Sequence, residues 1–154
     1  MAAKAVQTVT LVRGINPDRM EFPALWAFED DIKSRSWLDW LTAHTSLMKP
    51  LHRYEGLLAV YANRLNFSGI DKRSSTQDDF SLDIYKYQIE QLYHGFDEIF
   101  HQWETRGLGL TGLPLRLTFT QNEKEEKLYL ITNYKAGWWN NTDCFEFLKN
   151  WVSK

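Results

Sequence analysis

The sequence predicts an α+β domain in which an antiparallel sheet, built from an N-terminal strand and two hairpins, packs with one long helix and one or two short helices. Two stretches, 113–120 and 127–134, alternate apolar and polar residues as half-buried strands do. Apolar residues recur every three or four positions from Leu82 onward, which is the period of an amphipathic helix. A length of 154 residues suits a single domain, 1–154, with a core of its own.

The N-terminal third predicts a strand and a short helix. Residues 6–13 alternate and are rich in β-branched side chains, so they predict a strand, and the turn signal at 16–18 ends it. Apolar residues between Pro23 and Trp40 are irregularly spaced and predict no regular element. Ser36 is placed to cap a short helix over 37–45, because its hydroxyl can accept a hydrogen bond from an amide of the first turn.

The middle of the chain predicts a hairpin followed by a loop. The hairpin pairs 56–61 with 64–67 and turns near Ala62 and Asn63, with a helix as the alternative. Residues 69–79 are the most polar stretch of the chain and predict a mobile loop.

A long helix is predicted next. Its apolar face carries Leu82, Tyr85, Ile89, Leu92 and Tyr93. The pattern continues to Trp103, but Gly95 interrupts it. Either one helix runs to Thr105, or Gly95 ends the helix in a left-handed cap and a strand follows. The spacing favours the first alternative.

The C-terminal part predicts a second hairpin and a short helix. The strands at 113–120 and 127–134 are joined by the charged linker 121–126. The final helix is capped by Thr142 or Asp143. It turns Phe145, Leu148, Trp151 and Val152 inward.

Composition excludes several classes of protein. A net charge of −2 gives no large basic field, which argues against a protein that binds DNA or RNA on its own. The one cysteine, Cys144, cannot form an internal disulfide and is expected to be a buried structural thiol in a reducing compartment. No apolar run approaches the ~18 residues that span a bilayer, and the first residues lack the pattern of a signal peptide. We expect a cytoplasmic protein that is not bound to a membrane.

Catalytic motifs are weak, and we expect no enzyme and no cofactor. Residues 107–112 match G-x-G-x-x-G, but a nucleotide site needs a helix after the glycines, whereas Leu113, Pro114 and a predicted strand follow. We therefore interpret this segment as a flexible connection. The acidic run 29–31 is better explained by a solvated loop or the first turn of a helix than by a metal cluster.

An enzyme built around a metal or small ligand is the alternative hypothesis. His94, Glu98 and His101 would share one helix face if the helix continued past Gly95, and two imidazoles with a carboxylate can hold a transition metal. A strand after Gly95 would remove that geometry.

Binding residues form two candidate groups. A cationic group could hold a few RNA phosphates if its members share a face, although scattered solvation is the commoner explanation; it contains Lys49, His52, Arg53, Arg64, Lys72 and Arg73. Aromatic residues make up 15% of the chain, and large rings dominate protein interfaces. The candidate protein contacts are Trp26, Trp37, Trp138 and Trp139; for the adjacent pair 138–139, interface and core are equally favoured.

Three stretches together carry a resemblance to a known family. They are Trp40-Leu41-Thr42-Ala43-His44, the glycine-bounded hairpin 56–69, and a helix ending at Tyr93-His94-Gly95 before Glu98-Ile99-Phe100-His101-Gln102-Trp103. This order is similar to the small accessory subunit of type III-D CRISPR effector complexes, which are prokaryotic antiviral assemblies that cut RNA by guide pairing. It covers residues 37–135, and the first 35 residues and the final helix have no counterpart.

The resemblance implies a non-catalytic structural role and carries over no catalytic residue and no cofactor. It implies protein partners, namely the backbone subunits and the large polymerase-like subunit, with incidental RNA contacts and no DNA specificity. An inhibitor or immunity-type protein is a further hypothesis that differs only in its partner.

Overall fold

The computed structural model describes residues 20–33, 52–100, 113–132 and 140–154. Within them lie seven strands, two α-helices and one 3₁₀ turn. In chain order the elements are β1 (Met20–Phe28), α1 (Glu29–Lys33), β2 (Tyr54–Val60), β3 (Arg64–Asp71), β4 (Asp79–Tyr85), the 3₁₀ turn (Lys86–Gln88), β5 (Ile89–His94), β6 (Leu115–Gln121), β7 (Lys124–Thr132) and α2 (Thr142–Val152). The predicted α+β class with an antiparallel sheet is confirmed.

All seven strands belong to one sheet in the order β4-β3-β2-β1-β7-β6-β5. Every ladder is antiparallel. The first four strands form a meander, the chain then crosses to the far edge, and the last three strands return until β7 pairs with β1. The sheet curls around its inner face, where the main core lies.

β1 is the central strand, and the sequence did not predict it. The side chains of Phe22, Ala24 and Trp26 face the main core. On the outer face, Leu25 packs with Ile131 and Ala27 packs with Tyr129. Because both faces are buried, the strand reads as a continuous apolar run without alternation. Pro23 is tolerated because the β1–β7 ladder begins only at the next residue.

Both predicted hairpins are confirmed. β2 and β3 turn at residues 61–63, and Val60 pairs with Leu65. β6 and β7 turn at Asn122 and Glu123, whose φ angles of 52° and 62° match a two-residue hairpin turn with both residues left-handed. Most of the linker predicted at 121–126 therefore belongs to the strands, because the β6–β7 ladder continues to the pair Gln121 and Lys124.

The predicted long helix is wrong. Residues 82–93 form the end of β4, the 3₁₀ turn and β5. In β4 the side chains of Phe80, Leu82 and Ile84 pack on the main core, while the intervening residues are exposed. The period is therefore two, as in a strand. β5 ends at His94, and residues 96–100 form neither helix nor strand.

The loop predicted at 69–79 is shorter than expected. Gly69 to Asp71 complete β3 and Asp79 begins β4, so the connection is 72–78. Gly56 and Gly69 pair directly across β2 and β3. A Cβ on Gly56 would lie 2.1 Å from the carbonyl oxygen of Ser68, so only glycine allows these backbones to approach so closely.

α2 packs on the main core. Its inward residues Cys144, Leu148 and Trp151 are buried, and Phe145 and Val152 are partly buried against the same core, as predicted. The buried position of Cys144 agrees with a structural thiol, and burial raises the pKa of that thiol to about 12.

The predicted cap of α2 is wrong, because Asn141 occupies the N-cap position. Its side chain is buried and binds the sheet: Oδ1 accepts hydrogen bonds from the amide and the hydroxyl of Thr132 at 2.7 and 2.9 Å. Nδ2 donates to the carbonyl oxygens of Leu113 and Leu130 at 2.8 and 3.2 Å. Asn141 thereby fixes the start of the helix to β7.

Two predicted elements, the strand at 6–13 and the helix at 37–45, lie outside the described residues. Among the residues that are described, no helix is both long enough and apolar enough to span a bilayer.

Candidate binding surface

The predicted cationic group does not form one cluster. His52 is buried, with 2% of its surface exposed. Arg53 immediately precedes β2 and Arg64 begins β3 at the other end of the same hairpin. Seven strand residues separate those two ends, which is about 20 Å at ~3.3 Å per residue. Lys49 lies outside the described residues.

Arg53 is the centre of a charge network that joins α1 to the β2–β3 hairpin. Its Nε and Nη2 donate to the two carboxylate oxygens of Asp71 at 3.1 and 2.9 Å. Its Nη1 donates to Oδ1 of Asp31 at 2.8 Å. Arg73 adds a hydrogen bond to the carbonyl oxygen of Asp31 at 3.1 Å. The hydrogen bond from Arg53 lowers the pKa of Asp71 and raises the pKa of Arg53.

This network is better suited to holding the fold than to binding phosphate, because two carboxylates balance its two guanidinium groups. Lys72 lies next to it, and its amide donates to the carbonyl oxygen of Arg53. The acidic run 29–31 forms the first turn of α1. Asp31 of this run also accepts a hydrogen bond from the amide of Phe28 at 3.0 Å. That confirms the helix-first-turn interpretation of the run.

Trp26 is not an interface residue, contrary to our prediction. Its side chain is fully buried in the main core among Tyr54, Phe67 and Phe80, with ring centroids between 5.3 and 6.0 Å. A central strand buried on both faces leaves it no route to the surface. The other three tryptophans proposed as protein contacts, Trp37, Trp138 and Trp139, lie outside the described residues.

The helix required by the hypothetical metal site does not form. His94 ends β5 and Glu98 lies in the irregular segment after Gly95. The ring of His94 packs against Phe145 of α2 at 5.0 Å, and burial lowers its pKa. His101 lies outside the described residues, and within those residues no group of three or more histidine, cysteine or acidic side chains is arranged to hold a metal.

A buried polar cluster holds the segment that follows β5. Oδ1 of Asp97 accepts the amides of Ile99 and Phe100 at 2.9 and 2.7 Å. Its Oδ2 accepts Nη1 of Arg116 at 2.7 Å and the hydroxyl of Tyr129 at 2.8 Å. Burial raises the pKa of Asp97, but the hydrogen bonds outweigh burial and hold that pKa below its ordinary value.

Exposed aromatic side chains gather at the connection from β4 to β5. Four large apolar side chains are exposed among the described residues: Tyr85, Tyr87, Tyr93 and Leu113. Two of them, Tyr85 and Tyr87, stack on each other with ring centroids 5.9 Å apart and planes 22° apart. Tyr87 is 85% exposed and Tyr85 is 38% exposed. We call this pair the tyrosine platform.

Hydrogen bonds pin the backbone beneath the tyrosine platform. The amide of Lys86 donates to the carbonyl oxygen of Asn63 in the β2–β3 turn at 2.9 Å. The side chain of Gln88 accepts the amide of Tyr85 at 2.7 Å and donates to the carbonyl oxygen of Thr120 at 3.1 Å. The turn that carries the exposed rings is therefore tied to both halves of the sheet.

Two cationic residues adjoin the platform: Arg64 across the β3–β4 ladder and Lys86 between the two tyrosines in sequence. Arg64 is the cross-strand partner of Tyr85. Its guanidinium lies 4.3 Å from the centroid of the Tyr61 ring and its Nε lies 3.6 Å from Oδ1 of Asp83. The Nζ of Lys86 lies 4.6 Å from the ring of Trp151. Because the Arg64–Asp83 pair is long and open to solvent, it neutralises Arg64 only weakly.

The sequence interpretation named Arg64 but missed Tyr85, Lys86 and Tyr87 as binding residues. Tyr85 was placed on the buried face of a helix that does not form. The signal that could have found Tyr85 is the strict alternation over 79–85, which places it on the same side of β4 as the exposed Asp79 and Asp83. Tyr87 lies in the 3₁₀ turn, where this alternation gives no information.

No family model and no curated protein matches the chain. Among solved structures, the chain is similar to the hSac2 domain from human phosphoinositide phosphatase Sac2. The sequences are 10% identical, the match covers 98% of this chain and 77% of that chain, and the TM-score is 0.45. A likeness at this level carries no argument about function.

Proposed function

We propose that this chain is a non-catalytic accessory subunit of a ribonucleoprotein, and that the tyrosine platform with Arg64 and Lys86 contacts RNA. The observation that supports the proposal is a pair of stacked, exposed tyrosines on a pinned turn. Lys86 lies between the two tyrosines in sequence, and Arg64 pairs with Tyr85 across β3 and β4. Aromatic rings stack on bases, and Lys and Arg pair with phosphates, so these residue types together suit a nucleic acid.

The sequence resemblance suggests which assembly this is: a type III-D CRISPR effector complex, with backbone and polymerase-like subunits as protein partners and guide or target RNA as the nucleic acid. The net charge of −2 suits a subunit that meets RNA beside other proteins. A protein that binds RNA alone usually needs a broader basic surface.

Purification of the affinity-tagged chain from its native host at about 0.1 M salt, where surface charge pairs are only partly screened, tests the assembly. We expect larger protein subunits and RNA to purify with the tagged chain. The double variant Y85A/Y87A should retain the protein partners and lose RNA crosslinks to the 85–88 turn. A chain that elutes free of both protein and RNA would contradict the proposal.

The salt dependence of binding to a labelled RNA strand tests the contact itself. If Arg64 and Lys86 each neutralise one phosphate, log K should fall with log salt with a slope of about −1.4, because each phosphate on a single strand contributes about −0.7. The variants R64Q and K86Q should each bring the slope closer to zero by about 0.7. The matched control K33Q, on α1, should leave it unchanged. Absence of measurable RNA binding at low salt, both by the chain alone and by the assembly purified with it, would refute the contact.

A further inference from the structure

We infer that the tyrosine platform binds an unpaired base, so that its ligand is a single strand and a duplex is rejected. This inference rests on the proposed function and specifies how RNA is recognised. Its starting point is the geometry of Tyr87, which has Tyr85 against one face at 5.9 Å and is otherwise 85% exposed. A flat base laid on the outer face of Tyr87 would add a third layer to an existing stack.

The backbone that carries the two rings is fixed before a ligand binds. The turn below them is fixed by the bond from Lys86 to Asn63 and by the two bonds made by Gln88. The ring of Tyr85 lies against the ring of Tyr87, with centroids 5.9 Å apart. A base would therefore meet a turn whose backbone is already ordered, which lowers the entropy lost on binding.

Charge alone cannot account for recognition at this surface. In the part of the chain that the structure describes, Arg64 pairs with Tyr85 across the strands and Lys86 lies between the two tyrosines in sequence. Asp83 lies 3.6 Å from Arg64. With about two phosphates neutralised, electrostatic attraction stays weak compared with proteins that make 6–10 phosphate contacts. Most of the affinity must then come from stacking, which needs a base whose face is free.

A paired base does not meet that need, because its faces are covered by its neighbours in the helix. Bases in loops and single strands can be splayed out onto an aromatic ring, whereas duplex RNA is recognised through its backbone and groove shape. Every base has a face to stack, so we expect little dependence on sequence.

Fluorescence anisotropy of the full chain with a labelled 12-nucleotide RNA, and with the same RNA annealed to its complement, tests the inference. We expect the single strand to bind at least about tenfold more tightly than the duplex. Y87A should weaken single-strand binding by about 5- to 150-fold, the range for loss of one base–aromatic stack. Y87F keeps the ring and should bind within about twofold of the unsubstituted chain, since stacking needs no hydroxyl. Because Tyr87 is 85% exposed, neither substitution should affect folding.

The matched control is Y93A, which removes another tyrosine that is 38% exposed, on β5 and outside the platform. It should leave RNA binding unchanged. If Y87A binds as tightly as the unsubstituted chain, or if duplex and single strand bind equally, while R64Q and K86Q still weaken binding, stacking is refuted and the RNA contact remains. If no RNA form binds the unsubstituted chain, either alone or in the assembly purified with it, the proposed function fails along with the inference.

Discussion

Asp97 shows how much one buried carboxylate can organise. It accepts hydrogen bonds from two backbone amides, from Arg116 and from Tyr129, and so ties the segment after β5 to β6 and β7. Its side chain is 6% exposed and that of Arg116 is 12% exposed, so the pair is largely removed from water. Removing the carboxylate would leave a buried guanidinium without its counter-charge.

We predict that D97A lowers the free energy of unfolding by about 3–5 kcal/mol, the cost of breaking one side of a buried ion pair. Urea denaturation followed by tryptophan fluorescence measures it. E125A, at an exposed position of β7, should change the stability by less than about 0.5 kcal/mol. A D97A variant as stable as E125A would show that the cluster is not a stabilising contact.

His94 makes stability depend on pH near neutrality. Burial between β5 and α2 lowers the pKa of His94 below its ordinary value of 6.5, against the opposing attraction of Glu146. The unfolded chain therefore takes up this proton at a higher pH than the folded chain does. Stability must fall as the pH falls from 6.5 through the folded pKa, and become constant below it.

We predict that the urea midpoint of the unsubstituted chain decreases when the pH is lowered from 7.5 to 5. H94Q should reduce this decrease. E146Q should enlarge it, because the variant lacks the carboxylate that favours the protonated imidazole. An equal fall in H94Q and the unsubstituted chain would assign the pH dependence to other groups.

At the scale of elements, local signals were sufficient where two neighbouring strands pair directly. The hairpins β2–β3 and β6–β7 were predicted because alternation and turn residues lie within one stretch of chain. The segment 79–94 fits two periods at once: Leu82, Tyr85 and Ile89 fit a helix, whereas Phe80, Leu82 and Ile84 fit a strand. Packing of β4 on β3 decided between them, and that contact cannot be read from the segment itself.

The candidate surface could be predicted from the sequence only in part. Arg64 was identified because it follows a recognisable turn. Tyr85 and Tyr87 were not identified, because whether a ring is exposed depends on the strand period that was misread. Trp26 was predicted at the surface because aromatic residues are abundant in the chain. The apolar run around Trp26 in β1 is instead typical of a strand that is covered on both faces.

The glycine pair of the β2–β3 hairpin gives a prediction at the same scale. A methyl group at residue 56 would lie 2.1 Å from a backbone oxygen of β3, so the two strands would have to separate. We predict that G56A costs at least about 1–3 kcal/mol of unfolding free energy, measured by urea denaturation. G95A is the control, because the atoms nearest to its methyl group would belong to the side chain of Tyr93, at 3.0 Å, which can move aside. Equal stability of G56A and G95A would contradict this account.

At the scale of the whole molecule, α2 connects distant parts of the chain. Nε1 of Trp151 donates to the carbonyl oxygen of Tyr61 at 2.7 Å, and Nζ of Lys86 lies over the Trp151 ring. The helix therefore supports the β2–β3 turn and the platform turn together. The hydrophobic period of α2 predicted that Trp151 faces inward. It could not predict the contacts with Tyr61 and Lys86, because those residues are far from Trp151 in sequence.

We predict that W151A lowers the unfolding free energy by about 3–5 kcal/mol and also weakens RNA binding, measured by anisotropy at a temperature where the variant is folded. L148A removes another buried side chain of α2 and should cost about 2–5 kcal/mol. It should leave the RNA affinity unchanged, because no contact joins Leu148 to Lys86 among those described. If both variants bind RNA equally well, α2 does not support the platform.

The pairing of β1 with β7 has a consequence for synthesis of the chain. Phe28 and Leu128 are cross-strand partners separated by 100 residues. A ribosome adding about 5–20 residues per second needs about 5–20 s to make that interval. Throughout it the most apolar strand of the sheet lacks one of its two neighbours, so we expect the emerging chain to need a chaperone, and refolding in vitro to be slow, as it is when distant strands must meet.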